Sequence, residues 1–159
     1  MKIYLAGSCS ADQRDTMKGI AKVLRDKEFE VYCPFELKIE NAWDYPQEVW
    51  AQKVFDADKA AIDECDMFIM ITPGRQSTAG TNWEQGYAFA KTKIILVFQL
   101  TQDDTSLMTF CGCDKFFNTS YETVGDDIIE ALRYPFLEDT VPEQNKGYGE
   151  LKKCVTRIT

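Results

Sequence analysis

The chain contains no histidine. No imidazole can therefore act as base, nucleophile or metal ligand, and acid–base chemistry falls to carboxylates, tyrosine, lysine or cysteine. Glycine and proline are not enriched, at nine and five of 159 residues, and neither a low-complexity tract nor a fixed-period repeat is present. Fibrous, solenoid and linker-dominated architectures are thereby excluded. No apolar run approaches the ~20 residues of a membrane span. The opening MKIYLAGS carries one lysine and a short apolar run ending at Gly7, too short for a signal peptide, so a cytoplasmic location without a membrane partner is expected. Basic stripes are also missing. Eighteen bases face 26 acids for a formal charge of -8, which speaks against long nucleic acid but leaves open one small nucleotide in a local pocket.

The six cysteines, Cys9, Cys33, Cys65, Cys111, Cys113 and Cys154, suggest no metal framework. Four lie in or beside apolar segments, as reduced core thiols do. Cys111-Gly112-Cys113 lacks the two-residue gap of a zinc knuckle, and no histidine can complete a mixed site. Neither a metal site nor a disulfide framework is expected. At this length one domain is expected, able to bury roughly 70% of its unfolded surface without staples.

The periodicities alternate between strand and helix. KIYLA (2–6) is a short apolar strand running into Gly7-Ser8, and 12–26 carries Met17, Ile20, Ala21 and Leu24 at helical spacing. FEVYC (29–33) reads as a second strand and 36–48 mostly as loop. Residues 48–65 place Trp50, Val54, Ala57, Ala61, Ile62 and Cys65 on one side of a helix. MFIMIT (67–72) is a continuous apolar run, as expected of a parallel strand covered on both faces. A helix over 81–91, a strand over 94–98, a short segment over 105–112, a last strand at Phe116 and Phe117 and a final helix over 122–134 follow. The order predicts a single-domain α/β fold of the flavodoxin or Rossmann-like kind: an open, mostly parallel five-stranded sheet with helices on both faces. Ligands of such sheets sit beyond the carboxyl ends of the strands, where loops 7–12, 73–80 and 99–106 should converge.

Three side chains there could carry chemistry. Thr81-Asn82-Trp83-Glu84 fits a capping box with Thr81 as N-cap, so Glu84 reads as a cap. It also reads as an ionised carboxylate favoured by a helix N-terminus and competent as a nucleophile, with Gly80 admitting a ligand close to the backbone. Asp58 lies four residues from both Val54 and Ile62, so it shares the apolar stripe. It is turned out at a frayed end, hydrogen-bonded in the core, or held in a cleft at the stripe's edge, and burial would raise its pKa as a general acid needs. Tyr4 is either a packing residue or a hydroxyl partnered by a carboxylate at the strand end. The loop GSCSADQR (7–14) precedes a helix and could hold an anion, with Arg75 assisting, but it is neither a P-loop nor a GxGxxG fingerprint.

Four segments together resemble the nucleoside 2-deoxyribosyltransferase family: KIYLAGS (2–8), EVWAQKVFDADKAAIDECD (48–66), AGTNWEQGYAFA (79–90) and SLM (106–108). The likeness spans about 2–118 and implies a family-like domain over 1–137, with 138–159 a polar tail of unassigned role. It implies that Glu84 is the nucleophile, Asp58 the proton donor and Tyr4 the active-site tyrosine. No cofactor or metal is implied. Substrate-binding roles are implied for Gly7, Ser8, Thr78, Gly80, Ser106 and Met108, the last two reaching a neighbouring subunit's site in a homodimer or larger homo-oligomer. The implied reaction exchanges the base of a 2′-deoxynucleoside through a covalent deoxyribosyl–Glu84 intermediate, with a free nucleobase as second substrate. Two positions depart from the pattern. Thr78 stands where many transferases carry aspartate, and Ser106 where they carry asparagine. The related nucleoside 5′-monophosphate N-glycosidases use serines there and a Gly-Ser loop similar to Gly7-Ser8, so hydrolysis of a monophosphate is the alternative. A non-catalytic nucleotide-binding module is the third. Phe35, Trp43 and Trp50 are candidates either for the core or for walls around a flat base.

Overall fold

Alternation along the strands divides the core into two layers. In β1 (Lys2–Gly7) Ile3 and Leu5 point to one face and Tyr4 and Ala6 to the other, all buried. In β3 (Met67–Thr72) Met67, Ile69 and Ile71 oppose Phe68 and Met70; in β4 (Ile94–Gln99) Leu96 and Phe98 oppose Ile95 and Val97. Strands covered on both sides have no polar face, which is why MFIMIT shows no alternation. A short edge strand, β2 (Glu30–Tyr32), and β5 (Lys115–Asn118) complete the sheet.

The order is β2-β1-β3-β4-β5 and every pair is parallel. The expected five-stranded α/β sheet is thus present, and it is wholly rather than mostly parallel. Helices α1 (Ala11–Arg25) and α5 (Val124–Arg133) cover one face through Met17, Ile20, Leu24, Ile128 and Leu132. On the other face lie α2 (Gln47–Glu64), α3 (Ala79–Ala90) and the short α4 (Leu107–Cys111), contributing Ile62, Ala88 and Phe110. The strand order reverses between β1 and β3, so the ligand crevice of this topology opens where those two strands end. Gly7 ends β1 there, and a Cβ on it would lie 2.6 Å from Met17. At the end of β3, Gly74 takes φ +94°, a left-handed conformation that glycine adopts without strain.

The computed structural model describes residues 1–8, 11–74 and 77–133. Cys9, Ser10, Arg75, Cys154 and the tail assigned to 138–159 lie outside the described residues. Several boundaries differ from expectation. The 36–48 stretch holds a 3₁₀ turn at Ala42–Asp44, after another at Pro34–Glu36, and α2 begins at Gln47. The last helix begins at Val124 rather than at 122. Most consequentially, α3 starts at Ala79 rather than Thr81: Thr78 is the N-cap, its Oγ1 accepting from the Thr81 amide at 3.3 Å. Among the described residues no helix is long and apolar enough to cross a membrane.

Candidate active site

Three elements deliver the three candidate side chains to one place. Tyr4 projects from the middle of β1 toward α2 and α3, its ring stacked between Tyr32 at 5.4 Å and Phe68 at 5.3 Å. Its hydroxyl is fully buried and, among the described residues, has no hydrogen-bond partner. Glu84 lies near enough for each to shift the other's proton. Burial first, and then the neighbouring charges of Glu84 and Asp58, hold the Tyr4 hydroxyl far above the ordinary tyrosine range.

Asp58 stands one turn before the buried Ile62 on α2, partly buried, and its Oδ1 accepts a 2.7 Å hydrogen bond from the Tyr32 hydroxyl. Desolvation raises its pKa and the Tyr32 bond partly opposes that rise. Glu84, also partly buried, is pushed up to about 7 by desolvation and then by the charge of Asp58, with Tyr4 pulling the other way. Two carboxyls that repel one another share a proton over the range between their macroscopic pKa values.

The capping expectation for Glu84 is corrected by the helix boundary. Because the helix begins at Ala79, Glu84 falls in the second turn, beyond reach of the cap position, and its carboxyl is turned toward the cleft. Thr78 takes the capping role, and its Oγ1 also pairs with the Thr81 hydroxyl at 2.8 Å.

A cleft of about 740 Å³ holds both carboxyls together with Gly7, Thr78, Gly80 and Thr81. Its outer wall is the 34–42 segment, through Leu37, Lys38 and Ile39. Trp50 and Val54 form the α2 side, and a smaller apolar hollow of about 390 Å³ beyond them reaches Asp58 and Glu84 past Phe55 and Trp83. Of the aromatics considered as walls, only Trp50 lines the cleft. Phe35 packs toward the α1 layer and Trp43 is 99% exposed, so Trp43 belongs to neither the core nor the cleft wall.

Not every expected site residue is assembled. Ser8 is buried beside Gly7 and does not line the cleft. Ser106 and Met108 border a separate groove of about 390 Å³ with Asn82, Gly86 and Phe89. They are kept there because α4 is tied to the far side of α3: Gln85 Nε2 donates to Thr109 O at 2.8 Å and to Gly112 O at 3.2 Å. Loop 99–106 does not converge on the cleft either. It braces the β3 turn, with Thr101 Oγ1 donating to Pro73 O at 2.7 Å. Conversely, Tyr32 and the 34–42 wall carry no signal in the sequence that marks them for the site.

The family model described as nucleoside 2-deoxyribosyltransferase matches residues 3–128. The chain belongs to that family. This deoxyribosyltransferase-family enzyme is similar to a 2-deoxyribosyltransferase of the psychrotolerant bacterium Bacillus psychrosaccharolyticus. That match has 26% identity and a TM-score of 0.68, and covers 79% of this chain and 91% of that one. Its fold also matches a CMP N-glycosidase of Clostridium botulinum, at 19% identity and TM-score 0.57 over 81% and 99% of the two chains. A conserved protein of Enterococcus faecalis matches at 18% identity and TM-score 0.62 over 82% and 98%. No curated protein matches the sequence.

Proposed function

We propose that the protein exchanges the base of 2′-deoxynucleosides by double displacement. The observation that carries the reading is the shared cleft: a nucleophilic carboxylate and a second, desolvated carboxyl face one cavity, with a buried tyrosine hydroxyl behind the first. The Glu84 carboxylate attacks C1′ as the C1′–N bond breaks. The electron pair leaves with the base nitrogen, which takes its proton from Asp58. The transition state is oxocarbenium-like, as in retaining glycosidases. A second base then attacks C1′ of the glycosyl–Glu84 ester and gives its proton to Asp58, so two inversions retain configuration. Ionised Glu84 draws the Tyr4 hydroxyl into a full hydrogen bond. That bond favours the tautomer with charge on Glu84 and the proton on Asp58. No step requires a metal or organic cofactor.

Incubation with a deoxynucleoside and a different free base should yield a new nucleoside, and mass spectrometry should find a deoxyribosyl adduct on Glu84. Intact ligand, never an adduct, would instead mark a binding module.

A specific feature favours a second reading, hydrolysis of nucleoside 5′-monophosphates. Where an acidic residue would repel a phosphate, the cleft has the paired hydroxyls of Thr78 and Thr81 at the start of α3, a setting that suits an anion. Release of base and sugar phosphate from a monophosphate, without transfer, would select it. Under that reading Thr78→Asp should weaken kcat/KM for the monophosphate by roughly 10²-fold, since like charges held together cost several kcal/mol, and should spare the free nucleoside.

The site is further proposed to be completed by a second copy, whose Ser106 and Met108 enter the hollow beside Trp83 and Glu84. The exposure of Met108, at 81%, supports this. Mixing inactive Glu84→Gln with inactive Met108→Glu protein should restore part of the activity, because one site of each mixed dimer is intact.

A further inference from the structure

The proton donor has a neighbour that no role above uses. Tyr32 ends β2, the edge strand, in register with Tyr4 of β1. Its ring stacks on Tyr4 at 5.4 Å, and its hydroxyl donates to Asp58 Oδ1 at 2.7 Å, a direct side-chain tie to one of the two cleft carboxyls. We propose that Tyr32 is a positioning residue for Asp58: it pins Oδ1, leaving Oδ2 to carry the proton toward the departing base, and it stabilises the carboxylate left behind. This inference rests on the reading of Asp58 as the proton donor.

The physical argument is one of differential strength. A hydrogen bond from a neutral hydroxyl to a protonated carboxyl is weak, and the same bond to a carboxylate is charge-assisted and roughly twice as strong. The contact therefore strengthens as the proton moves to the base, which is the condition for accelerating the step. The direction agrees with the electrostatics, since the Tyr32 bond lowers the Asp58 pKa against the rise caused by burial. The other titratable groups around this pair are Tyr4 on β1, Cys33 after β2, Glu84 on α3, and Lys38 and Glu40 on the cleft wall. Tyr32 is itself pushed above the ordinary tyrosine range, by burial first and then by Asp58, so it stays protonated and can donate throughout the working pH range.

Tyr32→Phe keeps the ring, its stacking and the strand, and deletes the hydroxyl. Two substrates separate the roles: an ordinary deoxynucleoside, whose base must be protonated to leave, and an N7-methylated purine deoxynucleoside, whose cationic base leaves without a proton. With the ordinary substrate kcat should fall roughly 10- to 100-fold, the range expected for one hydrogen bond to a charged group. With the methylated substrate the burst rate of base release, the half-reaction that needs no proton from Asp58, should change by less than about twofold. A ligand-free readout accompanies this. Carbon-13 NMR titration should place the Asp58 carboxyl pKa higher in Tyr32→Phe than in the parent protein. Incorporating 3,5-difluorotyrosine at 32, a more acidic hydroxyl, should move it lower. Equal losses on both substrates, or an Asp58 titration that does not move in either variant, would overturn the inference. If the parent protein acts on neither substrate while the Asp58 titration moves as expected, the proposed activity fails and the Tyr32–Asp58 coupling stands.

Discussion

Glu84→Gln should abolish glycosyl transfer and at the same time make the protein more stable above neutral pH. The loss of kcat should be at least about 10³-fold, because glutamine is isosteric but has no anionic oxygen to attack C1′. The gain in stability follows from the same surroundings. In the folded protein Glu84 titrates at about 7 against an ordinary 4.5, so the folded state binds this proton more tightly than the unfolded chain. The stability so contributed is complete below about pH 4.5 and is lost as the pH rises through 7. Above that, an ionised Glu84 costs on the order of 3 kcal/mol, since each tenfold change in proton affinity is worth about 1.4 kcal/mol. Removing the charge should raise the melting temperature at pH 8 by roughly 5–10 °C for a chain of this size, and by little at pH 4. Thermal melts of both proteins across pH 4–8 check this. A helix cap would behave in the opposite way, since its loss destabilises the helix. An unchanged or lower melting temperature at pH 8 would therefore return Glu84 to a structural role.

The frame of the site is legible in the sequence wherever a local rule determines it. MFIMIT announces a doubly covered parallel strand because an all-apolar run has no solvent face. Asp58 is visible as an anomaly because four-residue spacing to Val54 and Ile62 puts a carboxylate on an apolar stripe. The start of α3 is misplaced for a local reason as well. Thr78 and Thr81 are both competent caps, and the capping-box spacing from Thr81 to Glu84 does not reveal that Ala79 and Gly80 already lie in the helix. What stays illegible depends on contacts distant in sequence. Tyr32 meets Asp58 only because β2 pairs with β1 in the register that sets Tyr32 beside Tyr4. The 34–42 segment becomes a cleft wall only by folding over α2. Nothing in the composition of either segment distinguishes these uses from an ordinary edge strand and a connecting loop.

Asp58→Asn should reduce kcat on ordinary deoxynucleosides by about 10²- to 10⁴-fold, the usual contribution of general acid catalysis, and should leave the burst release of base from an N7-methylated purine substrate nearly unaffected. Its second consequence concerns the partner carboxyl. The charge of Asp58 is the largest influence on Glu84 after burial, and a like charge raises a carboxyl's pKa by disfavouring its ionised form. An amide at 58 removes that repulsion, so Glu84 should ionise at a lower pH than in the parent protein. Measured as the burst release of the methylated base, a first half-reaction that needs only the nucleophile, the acidic limb of the pH profile should start near 7 in the parent protein and move downward in Asp58→Asn. The two carboxyls titrate as a coupled pair, so both limbs of the parent profile report macroscopic values. The proposed mechanism needs Glu84 ionised and Asp58 protonated, and burial raises both carboxyls. An acidic limb that stays in place when the charge at 58 is removed would show that the two groups do not face each other across one cleft, and the double-displacement reading would fall with it.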